Sequence, residues 1–546
     1  MMQRIIDRVN QLDPWIGVSI AIMTIYAAII GMLQVHAGNL NTQYRAETQR
    51  YAIEAMRIRS MGETQSAFDT GAVARMVDFI AQQRSLAESR NDTAIVEKMD
   101  VMSDALTNVS PILKPPYDAL GDDAIARFEV ELYVRDAVRA EQYRAAYAPM
   151  DAGWDSKANT YVVHLTLLAL VLALLGLGVV MHNIPRAMVL TMAGVISIIT
   201  TGWVITTYLE PVPTLNPAAI EAYTNAYSQA YEGKTEAALT GYADAIAKKP
   251  DYADAYFEQA WLLYGAEKYP DALKSLASAR KYGYEESSID YIEGYIMMLQ
   301  GDFGAAETAT NAWLAREPRS IAALGQQVAV AFARDNAAAA TTSQATLINE
   351  MNSQVAAIRA KGDEPEDLLW VTMNENADVV NDVVLATQQA DMSSFGALTL
   401  APATVTQAES AVQAIRSAAI TLEYDLKPTS GKATDIQVGV TDDQEVFTAQ
   451  DTFPADNLAI SPLMLQLNAQ QITPGAHVLV RFYVEGSEDE SLRYVSEWSG
   501  ATDGLTTLAV PIDLGPAYVL TAGNYAVELY IDGVVQGGLV PFQVTE

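Results

Sequence analysis

The amino-acid sequence predicts a multidomain membrane protein: an all-α membrane and helical-loop module, an α-solenoid of helix-turn-helix repeats, and a C-terminal all-β sandwich. Three observations carry this. Three apolar runs, at 15–35, 161–181 and 187–209, contain no Asp, Glu, Lys or Arg. A unit of 34 residues is written three times between 219 and 320, and the hydrophobic period changes from helical to two near residue 430. The expected domains are 1–35 (tail and first span), 36–160 (extramembrane helical bundle), 161–209 (helical hairpin), 210–334 (repeats), 335–428 (helical cap) and 429–546 (β-sandwich).

The first run, WIGVSIAIMTIYAAIIGMLQV, follows Asp13 and Pro14, a helix-start signal, and 21 residues of helix cover the hydrocarbon core of a bilayer. It is too long for a signal-peptide core and no small-residue cleavage site precedes the charged stretch near Arg45, so an uncleaved anchor is expected. The second and third runs are joined by His182 to Arg186, which contains Pro185 and allows only a tight hairpin. Three crossings put the N-terminus and the repeats on opposite sides. Arg4, Arg8 and Arg186 flank one side and Arg45, Arg50, Arg144 and Lys157 the other, with no basic residue between 210 and 233. Long loops cross largely regardless of charge, so the expected location is a multi-pass cytoplasmic membrane protein with repeats and C-terminus outside.

Within the 36–160 loop, three stripes have helical spacing: Val73, Met76 and Ile80; Ile95, Met99, Met102 and Leu106; Ile125, Phe128 and Leu132. Pro111, Pro115 and Pro116 punctuate them. Antiparallel helices standing on the membrane, the first continuing the span, would bury these stripes against one another. This order of span, helical loop and paired spans is similar to that of a group of bacterial three-span membrane proteins.

In register, 219–252, 253–286 and 287–320 place Ala226, Ala260 and Gly294 at the eighth position, where paired helices cross closely, and Ala238, Ala272 and Ala306 twelve positions on. Ala245 and Ala279 follow, with Trp313 as the exception. Gly233 and Gly301 mark turns, Tyr269 and Phe303 follow the turns of their units, and Pro250 and Pro318 close two units. This pattern resembles the tetratricopeptide repeat. The resemblance implies a curved stack whose concave face is lined by first-helix residues, here Asn225, Gln229, Glu258, Gln259, Leu262, Tyr291 and Tyr295. Such amide and aromatic side chains suit an extended peptide.

Beyond 320 the repeat fades: Ile321 to Arg334 could begin a fourth unit, but Asn336 to Thr342 is alanine and threonine rather than a turn and consensus helix. Two further helices, one with Leu368, Val371, Val380 and Val383 and one with Val412, Ile415, Ala419 and Leu422, are expected to cap the stack. From 430 on, HVLVRFYV (477–484), TTLAVPI (506–512) and YAVELYI (525–531) alternate between turn signals such as Pro474-Gly475 and Asp532-Gly533, which suggests a β-sandwich. The last hairpin, from Ala522 through Asp532-Gly533 to Phe542 and Val544, looks like the end of bacterial immunoglobulin-like surface modules, which bind or space rather than catalyse.

Catalytic patterns are missing. The chain has no cysteine and four histidines, none in a His-Glu-x-x-His pair, and neither a nucleophile elbow nor a phosphate-binding loop occurs. His164 lies inside a span near its start, His36 and His182 at span boundaries, and His477 at the head of a strand; all read as structural. No cofactor or metal is expected, and the acidic run 485–490 reads as a solvated connection. Net charge is −33, and residues 210–546 hold 17 Lys and Arg against 46 Asp and Glu, which argues against nucleic acid as a partner. The expectation is a non-catalytic membrane-anchored scaffold that binds a protein or peptide on the outer face, with homo-oligomerisation possible. The alternatives are a membrane sensor, or an intracellular adaptor if the orientation is reversed.

Overall fold

The computed structural model describes residues 13–545 apart from 91, 118–123, 182, 391–392, 427–430, 442–445, 455–462, 485–486, 489–492 and 511–521. Arg4, Arg8, His182 and most of the acidic run lie outside the described residues. The chain divides into two units, Met1–Tyr284 and Glu285–Glu546.

In the first unit, α1 (Asp13–Ala67) runs 55 residues without a break, because no proline follows Pro14 and the apolar run passes directly into helix-forming residues. A π-helical segment, Phe68–Val73, leads into α2 (Ala74–Ser89), and α3 (Thr93–Val109) turns back, capped by Asp92, which accepts from the Ile95 N–H at 3.2 Å. Then come α4 (Ala124–Glu129), a second π segment (Val130–Val134), α5 (Arg135–Val180) and α6 (Asn183–Leu209). The helices α1, α5 and α6 are long and apolar enough to cross a membrane.

Beyond their apolar halves, α1 and α5 continue side by side as a two-helix stalk. A tyrosine ladder zips it: Tyr44 stacks on Tyr147 at 5.9 Å, and Tyr51 on Tyr143 and Tyr147 at 5.0 and 5.7 Å. Farther along, the Tyr133 ring lies over Gly62, where a Cβ would sit 2.1 Å from the ring. Between apolar and aqueous halves lies a polar layer. The Asn41 amide donates to Asp151 at 2.6 Å, Arg45 pairs with Asp151 and Asp155 at 3.5 Å, and the buried Lys157 ammonium donates to the Tyr208 and Glu210 carbonyls at 3.3 and 2.5 Å. Lys157 thus neutralises the negative end of α6.

The loop stripes are corrected by the π segments. Val73, Ile80 and Leu106 do form a small core with Met99 and Leu113 beside it, but Met76, Ile95 and Met102 face outward. Of the third stripe only Phe128 is buried, while Val130, Val134 and Val138 turn inward instead. A π turn adds about one residue to a helical turn, which rotates everything after it by roughly 100° and defeats a count at 3.6.

The first unit also holds two of the 34-residue repeats: α7 (Pro217–Tyr231) with α8 (Thr235–Lys248), and α9 (Ala253–Gly265) with α10 (Tyr269–Lys281). Ala226, Ala238, Ala245, Ala260, Ala272 and Ala279 are all fully buried, and a Cβ on Gly241 would come within 2.8 Å of Ala226, so the small positions are small because backbones touch there. The first pair is clamped to the stalk: Val130, Val134 and Val138 share a core with Ala219, Tyr223, Ala226 and Tyr242, and Tyr252 donates to Gln142 at 2.7 Å.

The second unit carries α11 (Ser288–Leu299) with α12 (Phe303–Arg316), α13 (Ile321–Ala333) with α14 (Ala337–Arg359), and α15 (Asp367–Gln388) with α16 (Pro402–Glu423). The periodicity does not stop at 320. Left-handed residues recur at Gly233, Glu267, Gly301 and Asp335, 34 residues apart, so α13 and α14 form a fourth pair. Asp335 tolerates that conformation, Asn336 caps α14 by accepting from the Ala339 N–H at 3.2 Å, and the alanines that looked unlike a consensus helix are the best helix formers. α15 packs on α13, and α16 on α14.

Ten strands follow: β1 (Lys432–Thr441), β2 (Phe447–Ala449), β3 (Thr452–Pro454), β4 (Leu463–Gln470), β5 (His477–Val484), β6 (Ser487–Glu488), β7 (Tyr494–Glu497), β8 (Asp503–Val510), β9 (Gly523–Ile531) and β10 (Val534–Thr545). One sheet has the order β2-β1-β4-β8; the other has β3-β10-β9-β5-β6, with β7 also on β5. Their inward residues, among them Leu465, Leu467, Val478, Phe482, Val527 and Phe542, make a single core, as the alternation predicts. Asp532 and Gly533, at φ 47° and 77°, make the tight turn between β9 and β10. A buried charged cluster joins this sandwich to α16: Arg416 donates to Asp378 at 2.8 Å and lies 3.7 Å from Glu528, which accepts from Tyr483 and Tyr530 at 3.0 and 2.7 Å.

Candidate functional site

Each first helix of a repeat presents one face to its second helix and another outward, so the site is decided by what covers the outward face. On α7 that face is taken by the stalk: Tyr223 is buried, and Tyr231 donates to Glu129 at 2.5 Å. Burial raises the Tyr223 hydroxyl well above the usual phenol range, with the Glu258 charge adding to the effect, so it stays a neutral packing group. On α11 the face is taken by α15. Tyr291 and Tyr295 stack at 6.1 Å, Tyr295 meets Phe395 edge-on at 5.9 Å, and the cleft they share with Thr372, Glu375, Asn376 and Val379 is about 20 Å³, room for a single water.

The face of α9 is different. Asp254, Phe257, Glu258, Trp261 and Tyr264 fall on one side of the helix, and Trp261 is 46% exposed. Its ring lies 5.8 Å from Tyr264, which lies 6.3 Å from Tyr269, and Phe257 stacks on Tyr284 at 4.3 Å. Together they form a strip of aromatic surface flanked by carboxylates, able to cover apolar groups of an extended chain and to hold cations.

The residues expected from the sequence are not brought together. Asn225 is exposed and Gln229 and Glu258 half-buried; the Gln259 amide oxygen accepts from Ser275 of its own second helix at 3.0 Å; Leu262 packs on the core between repeat and stalk; Tyr291 and Tyr295 belong to the second unit and lie under α15. Phe257, Trp261 and Tyr264 were passed over. Their signal was present as aromatic residues at i, i+4 and i+7, a face displaced by one residue from the one read.

Among the described residues no cluster of His, Asp and Glu could hold a metal. His164 is fully buried and packs as an aromatic ring, edge-on to Trp203 at 4.7 Å; His36 meets Trp154 edge-on at 5.9 Å. Two open grooves remain. One, of about 500 Å³, runs along the stalk beside Ala52, Met56, Arg59, Glu141 and Arg144; the other, of about 840 Å³, is lined by alanine and threonine of α14 with Gln407.

No protein-family model matches the chain, and no curated protein does. Among solved structures, a crystal structure of a tetratricopeptide repeat protein from Parabacteroides merdae ATCC 43184 matches with 10% identity and a TM-score of 0.24, covering 62% of this chain and 99% of that one. A likeness at that level carries no argument about this chain.

Proposed function

We propose that this chain is a non-catalytic, membrane-anchored scaffold that holds a protein partner on the outer face of the membrane through its repeat region, with the sandwich as a second contact surface. The observation that carries the reading is the exposed Phe257, Trp261 and Tyr264 strip, the first-helix face that neither the stalk nor α15 covers. The clamp between the first repeat and the stalk supports it, because it fixes where that strip stands relative to the spans.

Because the chain has no cysteine, single cysteines can test the orientation. Ser60→Cys in the stalk and Lys274→Cys in the repeats should both react with a membrane-impermeant maleimide on intact cells. Protection of both would overturn the outer-face reading and make the chain an intracellular adaptor. A photo-crosslinking amino acid at Trp261 should give a discrete protein adduct; absence of any adduct, with full expression, counts against the scaffold. A second reading, a sensor that relays a signal through the spans, is favoured by the unbroken α1. It would gain if both cysteines proved to be inside.

A further inference from the structure

We propose that the exposed face of α9 is a docking surface for an extended protein segment that carries Lys or Arg side chains. This rests on the scaffold reading and names the class of partner its strip accepts. From Phe257 to Tyr264 the helix rises about 10 Å, the length of roughly three residues of extended chain. Aromatic rings and carboxylates share this side, with Asp254 and Glu258 beside Phe257 and Trp261. An anionic segment would meet both these carboxylates and the charge of residues 210–546, where acidic residues outnumber basic ones by 46 to 17. A cationic segment gains from each element.

The chain's own cations already behave this way in the same repeat. Lys249 sits 4.6 Å from the centre of the Tyr252 ring, and Lys281 sits 4.8 Å from the centre of Tyr282. The Asp254 charge reaches Arg144 of the stalk, at the head of the strip. Indole is the strongest aromatic receptor for a cation, yet among the described residues no cation of the chain lies over Trp261. Two turns beyond Asp254, that ring is where a partner's ammonium or guanidinium would continue the series.

The test uses the full chain in lipid nanodiscs and three fluorescent peptides of about 12 residues, alternating Ala with Lys, Ser or Glu, read by anisotropy. The Lys peptide should bind best, and more weakly as salt rises. Trp261→Ala, which alters no charge, should weaken it about tenfold, while Leu505→Ala on the sandwich should not. Trp261→Met keeps the apolar volume without the aromatic face and should lose most of the preference for Lys over Ser. Equal binding of Lys and Ser peptides through Trp261 would overturn the cation class and leave the docking face standing. Lys-peptide binding unchanged by Trp261→Ala would place the attraction elsewhere on the acidic surface and overturn the proposal. Failure of all three peptides to bind would overturn the docking face itself and count against the scaffold reading.

Discussion

Glu267 holds φ at 58° where its counterparts in the repeats on either side, Gly233 and Gly301, hold 73°. A side chain in that region costs about 1–2 kcal/mol, partly offset because glycine loses more freedom on folding. Glu267→Gly should therefore stabilise the second helix pair by about 0.5–1 kcal/mol, measurable as slower amide exchange in α9 and α10. Glu528 is the opposite case. It is buried across the strand pair from Arg481 and beside Arg416. Burial alone would lower the Arg416 pKa, but Tyr483, Glu528 and Asp378 raise it, so the guanidinium stays charged. Glu528→Gln leaves that charge uncompensated and should cost about 3–5 kcal/mol, seen as an earlier denaturant midpoint of the second unit; replacing Arg416 and Glu528 together by Met should recover much of it. Burial lowers the His477 pKa, with Asp532 and Glu497 opposing. The unfolded chain then binds the proton more readily, so this residue's contribution is intact above about pH 6.5 and lost as pH falls towards the folded value. His477→Asn should consequently lose less thermal stability than the parent between neutral and mildly acidic pH.

At the scale of the helix, close approaches decide what is tolerated. Gly62→Ala would drive a methyl into the Tyr133 ring, and Gly241→Ala would press on the Ala226 backbone. Each should destabilise by about 1–3 kcal/mol, checked by thermal unfolding, and the first should loosen the far end of the stalk selectively. The same contacts explain what could be read in advance. A 34-residue spacing of small residues is a direct record of helices crossing, and alternation at 477–484 is a direct record of a two-faced strand, so both were legible. The fourth pair was hidden because Asp335 and Asn336 do by conformation and capping what Gly does elsewhere. The π segments left no mark in the sequence, since Phe68–Val73 and Val130–Val134 differ from α-helix only in how tertiary contacts wind them. The aromatic strip was half legible: its residues have helical spacing, but which face a stalk 100 residues away leaves open is a matter of long-range packing.

For the molecule as a whole, the length of α1 sets a mechanical scale. At 55 residues it measures about 80 Å, of which roughly 30 Å is needed to match a bilayer. Helices adjust to a bilayer of the wrong thickness by leaning. For a lever of this length, a lean of about 10° about its lipid end carries Ala67 sideways by about 14 Å. The membrane's thickness is in this way converted into a lateral coordinate many ångströms above it, and anything riding on the stalk is steered by the composition of the lipid beneath.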